Sequence, residues 1–133
     1  MQGRSTEVLT FTTMKYKSIN LQEKFGLLTE QWAPRVVAEM NDYQFKVVKL
    51  EGDFVWHSHN ETAETFLVLE GTLLLQTAHE RVKLEPGQLY TVPAGLPHTT
   101  SPISERSVNL TIEKVGMSTE RVDAPAESAD TRP

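Results

Sequence analysis

The sequence contains no cysteine. Disulfide frameworks, thiolate zinc sites and cysteine nucleophiles are thereby excluded, and any metal site must use nitrogen and oxygen donors. Long apolar runs are also missing. Leu73-Leu74-Leu75 falls far short of the roughly 20 residues that a bilayer-spanning helix needs. No apolar stretch follows Met1-Gln2-Gly3-Arg4-Ser5, so no secretory signal is read there. Basic residues are outnumbered, 13 Lys and Arg against 18 Asp and Glu, and they are scattered. A formal net charge of −5 without a basic stripe argues against nucleic-acid binding. These absences lead to the expectation of a cytoplasmic chain with neither membrane nor nucleic-acid partners.

What is present fits one domain. The chain has 133 residues, 38% hydrophobic and 23% charged, which is the composition of a globular core with a polar surface. The first dozen residues are polar and unpatterned, and so is the stretch from Gly116 to Pro133. Between Asn20 and Trp32 the apolar residues fall at Leu21, Phe25, Leu28 and Trp32, a helical spacing, with Asn20 and Glu23 in capping positions. Pro34 then leads into short strand-like runs at about 36–40, 44–50, 53–59, 64–69, 72–77, 80–84, 88–92 and 107–113. Turn residues punctuate them, such as Asn41-Asp42, Glu51-Gly52, Glu70-Gly71 and Pro86-Gly87. The expected organisation is an N-terminal arm (1–17), one all-β barrel or sandwich with a leading helix (18–115), and a flexible C-terminal tail (116–133).

Four side chains stand out as metal-ligand candidates. In Val55-Trp56-His57-Ser58-His59 the period of a strand puts His57 and His59 on one face, opposite Phe54 and Trp56. Glu64 follows at an odd offset from His59, but the polar stretch Asn60-Glu61-Thr62-Ala63 reads as a loop that lets the chain re-enter the sheet with Glu64 inward. Phe66 and Val68 then share its face. His98 comes after Pro93-Ala94-Gly95-Leu96-Pro97, a stiff turn that suits a ligand needing placement to about 0.5 Å. Three imidazoles and a carboxylate suit zinc, manganese, iron, cobalt, nickel or copper as divalent ions, and not calcium.

These residues resemble the two motifs of the cupin superfamily. The first reads Gly52-Asp53-Phe54-Val55-Trp56-His57-Ser58-His59-Asn60-Glu61-Thr62-Ala63-Glu64 and, after the six residues Thr65 to Glu70, Gly71, with a spacer after Gly52 one residue shorter than the commonest form. The second reads Gly87-Gln88-Leu89-Tyr90-Thr91-Val92-Pro93-Ala94-Gly95-Leu96-Pro97-His98; Pro102 stands where the family pattern has an asparagine that is not a metal ligand. The likeness covers roughly residues 33 to 113 and is nearest to small single-domain type-2 cupins. Many of those carry an aspartate-rich run before the glutamate, whereas this chain has Ala63-Glu64-Thr65-Phe66. The resemblance implies a double-stranded β-helix, a jelly-roll barrel, with His57, His59, Glu64 and His98 facing the lumen.

Each feature also has a plainer reading. Two histidines alone could simply line a barrel. His79 reads as a surface turn residue, and Glu51, Asp53, Glu70 and Glu85 as turn or surface charges. Glu61 is a candidate acid or base beside the site, or a solvated loop carboxylate. Phe54 and Trp56 require either cover from the leading helix or a homodimer interface, and the reading favours a homodimer. Phe66, Leu73, Leu75, Tyr90, Val92, Leu96, Val108, Leu110 and Ile112 form core and pocket wall, with Phe66, Tyr90 and Leu96 as ligand contacts. Apart from Glu64 and Glu61, no carboxylate or lysine stands out as a base. The favoured function is a metal-dependent enzyme on a small molecule, by isomerase, dioxygenase or lyase chemistry. A non-catalytic barrel that binds or senses a small ligand or metal is the alternative, with a purely structural metal barrel third.

Overall fold

The structure of the protein is a computed structural model that describes residues 17–26, 34–52, 55–116 and 119–123. Its helix α1 (Leu21–Phe25) begins where the Asn20 side chain accepts a hydrogen bond from the Glu23 amide at 3.1 Å. Five residues are too few for a helix to persist alone, so packing must hold it. Leu21 and Phe25, one turn apart, supply that packing against Val47, Val108 and Leu110. The expected continuation towards Trp32 lies outside the described residues.

The strands are β1 (Arg35–Met40), β2 (Tyr43–Leu50), β3 (His57–Ser58), β4 (Glu64–Glu70), β5 (Leu73–Thr77), β6 (Arg81–Leu84), β7 (Leu89–Val92), β8 (His98–Pro102), β9 (Ser107–Lys114) and β10 (Glu120–Arg121). They form two five-stranded sheets, in the orders β1-β2-β9-β4-β7 and β10-β3-β8-β5-β6, with every neighbour antiparallel. This is the double-stranded β-helix. Val48, Leu50, Phe66, Val68, Leu73, Leu75, Leu84 and Val92 fill the space between the sheets.

Strand β9 divides the interior. Val48 and Val68 flank Asn109 in register, so Asn109 shares their inward face. By alternation Ser107, Thr111 and Glu113 point inward too, and all four are buried. Val108 and Leu110 face the other way, into a second apolar layer with Val47 beneath α1. Val108 and Leu110 are core, as expected, but they belong to this second layer and not to the pocket wall. They seal the outside of the sheet, and the polar residues between them face in.

Two strands escaped the apolar pattern. β8 is His-Thr-Thr-Ser-Pro, with its first four residues buried. Its threonines favour a strand on branching alone, without an apolar face to announce it. β10 lies inside the expected flexible tail. Its Glu120 and Arg121 pair with Ser58 and His57, and the Val122 amide bonds the Trp56 carbonyl at 3.0 Å. Composition does not reveal this backbone pairing of residues 120–122.

The hairpin from β4 to β5 turns at Gly71, whose φ is +81°. It is locked to the loop after β8. The Thr72 amide donates to Ser104 Oγ at 3.0 Å, the Ile103 amide to the Thr72 carbonyl at 2.9 Å, and Arg106 pairs with Glu70 at 2.9 Å.

Candidate metal centre

Three elements deliver the donors. His57 opens β3, His98 opens β8, and the two are cross-strand partners, with ring centroids 4.3 Å apart. β3 ends at Ser58, so His59 belongs to the turn that follows and not to an extended strand. Its backbone carbonyl accepts from the Gly95 amide at 2.7 Å, which ties this turn to the one before His98. Glu64 is the first residue of β4, after the loop at 60–63. One potential donor atom from each of His57, His59, Glu64 and His98 lies within 4.8 Å of the others. Glu64 Oε1 is 3.0 Å from His59 Nε2 and 3.4 Å from His98 Nε2.

The rings are aimed from behind. His57 Nδ1 donates to the Val55 carbonyl and His98 Nδ1 to the Leu96 carbonyl, both at 2.9 Å. A carbonyl only accepts, so Nδ1 carries the proton and the neutral ring presents its Nε2 lone pair to the centre. His59 Nδ1 meets Thr119 Oγ1 at 3.2 Å. His98 Nε2 and Glu64 Oε1 are buried without a hydrogen-bond partner. Three imidazoles and a carboxylate that converge in a buried space, with His98 Nε2 and Glu64 Oε1 unpartnered, fit a divalent transition ion. The residues that would hold it are His57, His59, Glu64 and His98.

The centre opens onto a cavity of about 160 Å³. Phe66, Val48 and Leu50 make its apolar wall, and Lys46, Thr111, Glu113 and Thr100 its polar wall. Tyr90 and Leu96 are not on that wall. Both pack against the lumen cluster, and the Tyr90 hydroxyl is spent on Glu80. Glu61 is exposed, and so is His79, at the turn after β5. Trp56 is half-buried, while Phe54 lies outside the described residues.

Sequence reading missed Lys46 and Glu113, which form an ion pair inside the cavity. The signal was present. Lys46 shares strand parity with Val48 and Leu50, so a charge stands on a core-facing row.

Burial sets the charges here. Burial and the His98 and His59 rings push His57 down to about 4, against the opposing pull of Val55 and Glu64. Burial and the neighbouring Glu64 push Glu113 up to about 7, with Lys46 opposing. Burial would raise Glu64, but the adjoining imidazoles of His59 and His98, and then Glu113, hold it below the usual carboxylate range.

In the metal-free protein these shifts oppose one another. Unfolded His57 binds a proton near 6.5 and folded His57 only near 4, so acidification across that window removes stability. Folded Glu113 keeps its proton to about 7 and unfolded Glu113 only to 4.5, so its stabilisation is complete below 4.5 and fades towards 7. Each is worth at most about 3 kcal/mol, and between 4.5 and 6.5 they cancel. Urea stability should therefore stay level over that range and decline below 4.5 as Glu64 takes up a proton. Glu113→Gln should expose the His57 slope, with stability declining from 6.5 downwards. A Glu113→Gln profile parallel to wild type would contradict the Glu113 assignment.

Fold and donors together define a jelly-roll barrel with a buried histidine and glutamate cluster that could hold a metal ion. Comparison with known proteins carries this to a family. Residues 45–112 match the family model described as Cupin domain, and the chain belongs to the cupin family. A crystal structure of a cupin-2 domain protein from Shewanella frigidimarina is 46% identical, with a TM-score of 0.71, covering 76% of this chain and 98% of that one. The uncharacterized protein YdbB of Bacillus subtilis is 33% identical over 98 residues, 73% of this chain and 86% of its own. Quercetin 2,3-dioxygenase of Bacillus subtilis is 38% identical over 79 residues, 55% of this chain and only 23% of that enzyme.

Proposed function

We propose that this protein is a metal-dependent enzyme acting on a small, oxygen-bearing molecule bound in the lumen beside Lys46 and Glu113. The observation that carries the reading is the junction of the donor cluster with an open cavity whose wall bears an ion pair beside Glu64. A purely structural ion needs neither. When bound, a divalent transition ion would supply Lewis-acid polarisation of a substrate oxygen.

The remaining work falls to the chain. Phe66, Val48 and Leu50 hold the apolar part of the substrate and exclude water. Lys46 offers an ammonium donor to a substrate oxygen. Glu113, held near neutrality at about 7, can accept or return a proton at working pH. Isomerisation, oxygenolytic cleavage and elimination all draw on such a set. The partial likeness to a quercetin dioxygenase favours oxygenolytic cleavage as the first of these to test.

Protein stripped of metal and reloaded separately with iron, manganese, cobalt, nickel, copper or zinc would be given polyphenols, enediols and hydroxyketones. Oxygen uptake and mass spectrometry would follow the reaction. We expect turnover with at least one ion, falling at least roughly tenfold in Glu113→Gln at unchanged metal content, as loss of a proton-transfer group does. Tight ligand binding without product under every ion would establish the non-catalytic binding barrel instead.

A further inference from the structure

Among the three imidazoles, His59 is held differently. The Nδ1 atoms of His57 and His98 bond carbonyls two residues back in their own segments. Those contacts form whenever β3 and β8 form. His59 Nδ1 meets the hydroxyl of Thr119, sixty positions along the chain. Thr119 reaches it because β10 pairs with β3 and the Val122 amide bonds the Trp56 carbonyl. Thr119 also lines the cavity.

We propose that Thr119 is a positioning residue of the metal centre, delivered by the C-terminal strand, so that the centre is complete only while β10 is docked on β3. The proposal rests on the reading of His57, His59, Glu64 and His98 as metal ligands. Thr119 Oγ1 accepts the Nδ1 proton of His59, and in the neutral ring this directs the Nε2 lone pair to the ion. β10 is two residues long, and both are exposed. Few contacts hold such a strand, so its docking is readily reversible. An ion bound by a correctly turned His59 must then favour the docked strand, and docking must favour the ion by the same factor.

The test uses the full chain as Thr119→Val and Thr119→Ser. Thr119 is exposed, so both variants should melt with wild type when metal-free. Affinity for zinc and for cobalt is measured by competition with a chromophoric chelator. Loss of an outer hydrogen bond to a ligating histidine typically costs 10–100-fold in affinity, and we expect about that for Thr119→Val. Thr119→Ser, which keeps the hydroxyl, should stay within about threefold by the same reasoning. Amide exchange at Val122 should slow when metal is added to wild type, and slow much less in Thr119→Val. Equal affinity for wild type and Thr119→Val, or a serine variant as weak as the valine one, would overturn the proposal while leaving the metal centre standing. Wild type without measurable affinity for either ion would overturn both.

Discussion

Glu64→Gln is expected to weaken divalent-metal binding by at least roughly a hundredfold, a quarter share of the ~10–16 kcal/mol that four-ligand zinc sites supply. The substitution keeps the shape of a buried side chain and removes its charge. A neutral amide oxygen is a poor donor to a transition ion beside three imidazoles, and Glu64 Oε1 sits between His59 and His98 where any shared ion must lie. Titration with cobalt, read by its visible spectrum, and zinc competition would measure the loss. Circular dichroism of the metal-free variant should match wild type. His79→Ala is the control, because His79 is an exposed turn residue outside the donor cluster. Wild-type affinity in Glu64→Gln would remove the carboxylate from the ligand set and leave three imidazoles.

The second large effect is on folding. An added Cβ at Gly71 would sit 2.3 Å from the Arg106 carbonyl oxygen and 2.8 Å from Ser104 Oγ. The oxygen at 2.3 Å is backbone and is held by the loop after β8, so relief requires moving that loop. The positive φ adds its own cost. Gly71→Ala should therefore lose roughly 2–5 kcal/mol, combining left-handed strain with overpacking. Gly87 separates the two costs, because its φ is +88° and nothing lies within 4 Å of an added Cβ. Gly87→Ala should lose only about 1 kcal/mol, from the backbone term alone. Urea denaturation of both variants measures the difference. Equal losses would mean that the Arg106 contact yields freely and the hairpin lock is soft.

Much of the fold was legible because strand parity and turn residues are local. The runs at 44–50, 64–69 and 107–113 correspond to β2, β4 and β9 within one residue at either end. Parity, however, says which residues share a face and not which face is inside. In β9 the apolar row marks core without saying which core: Val108 and Leu110 pack with α1, and Ser107, Asn109, Thr111 and Glu113 share the opposite face. Glu113, on the polar row, carries no apolar mark of its burial. The four candidate ligands were legible through their chemistry and their spacing around turns. Thr119 was not, since its place depends on pairing between segments far apart in sequence, and an ordinary threonine in a polar stretch carries no mark of it.

The division of labour along β9 bears on how such a barrel diversifies. Thr111 and Glu113 meet whatever occupies the cavity, and Val108 and Leu110 before them hold the strand under the helix. Lumen chemistry can thus be rewritten at alternate residues while the outer seal stays whole. One strand can host successive ligand specificities without the scaffold being rebuilt each time.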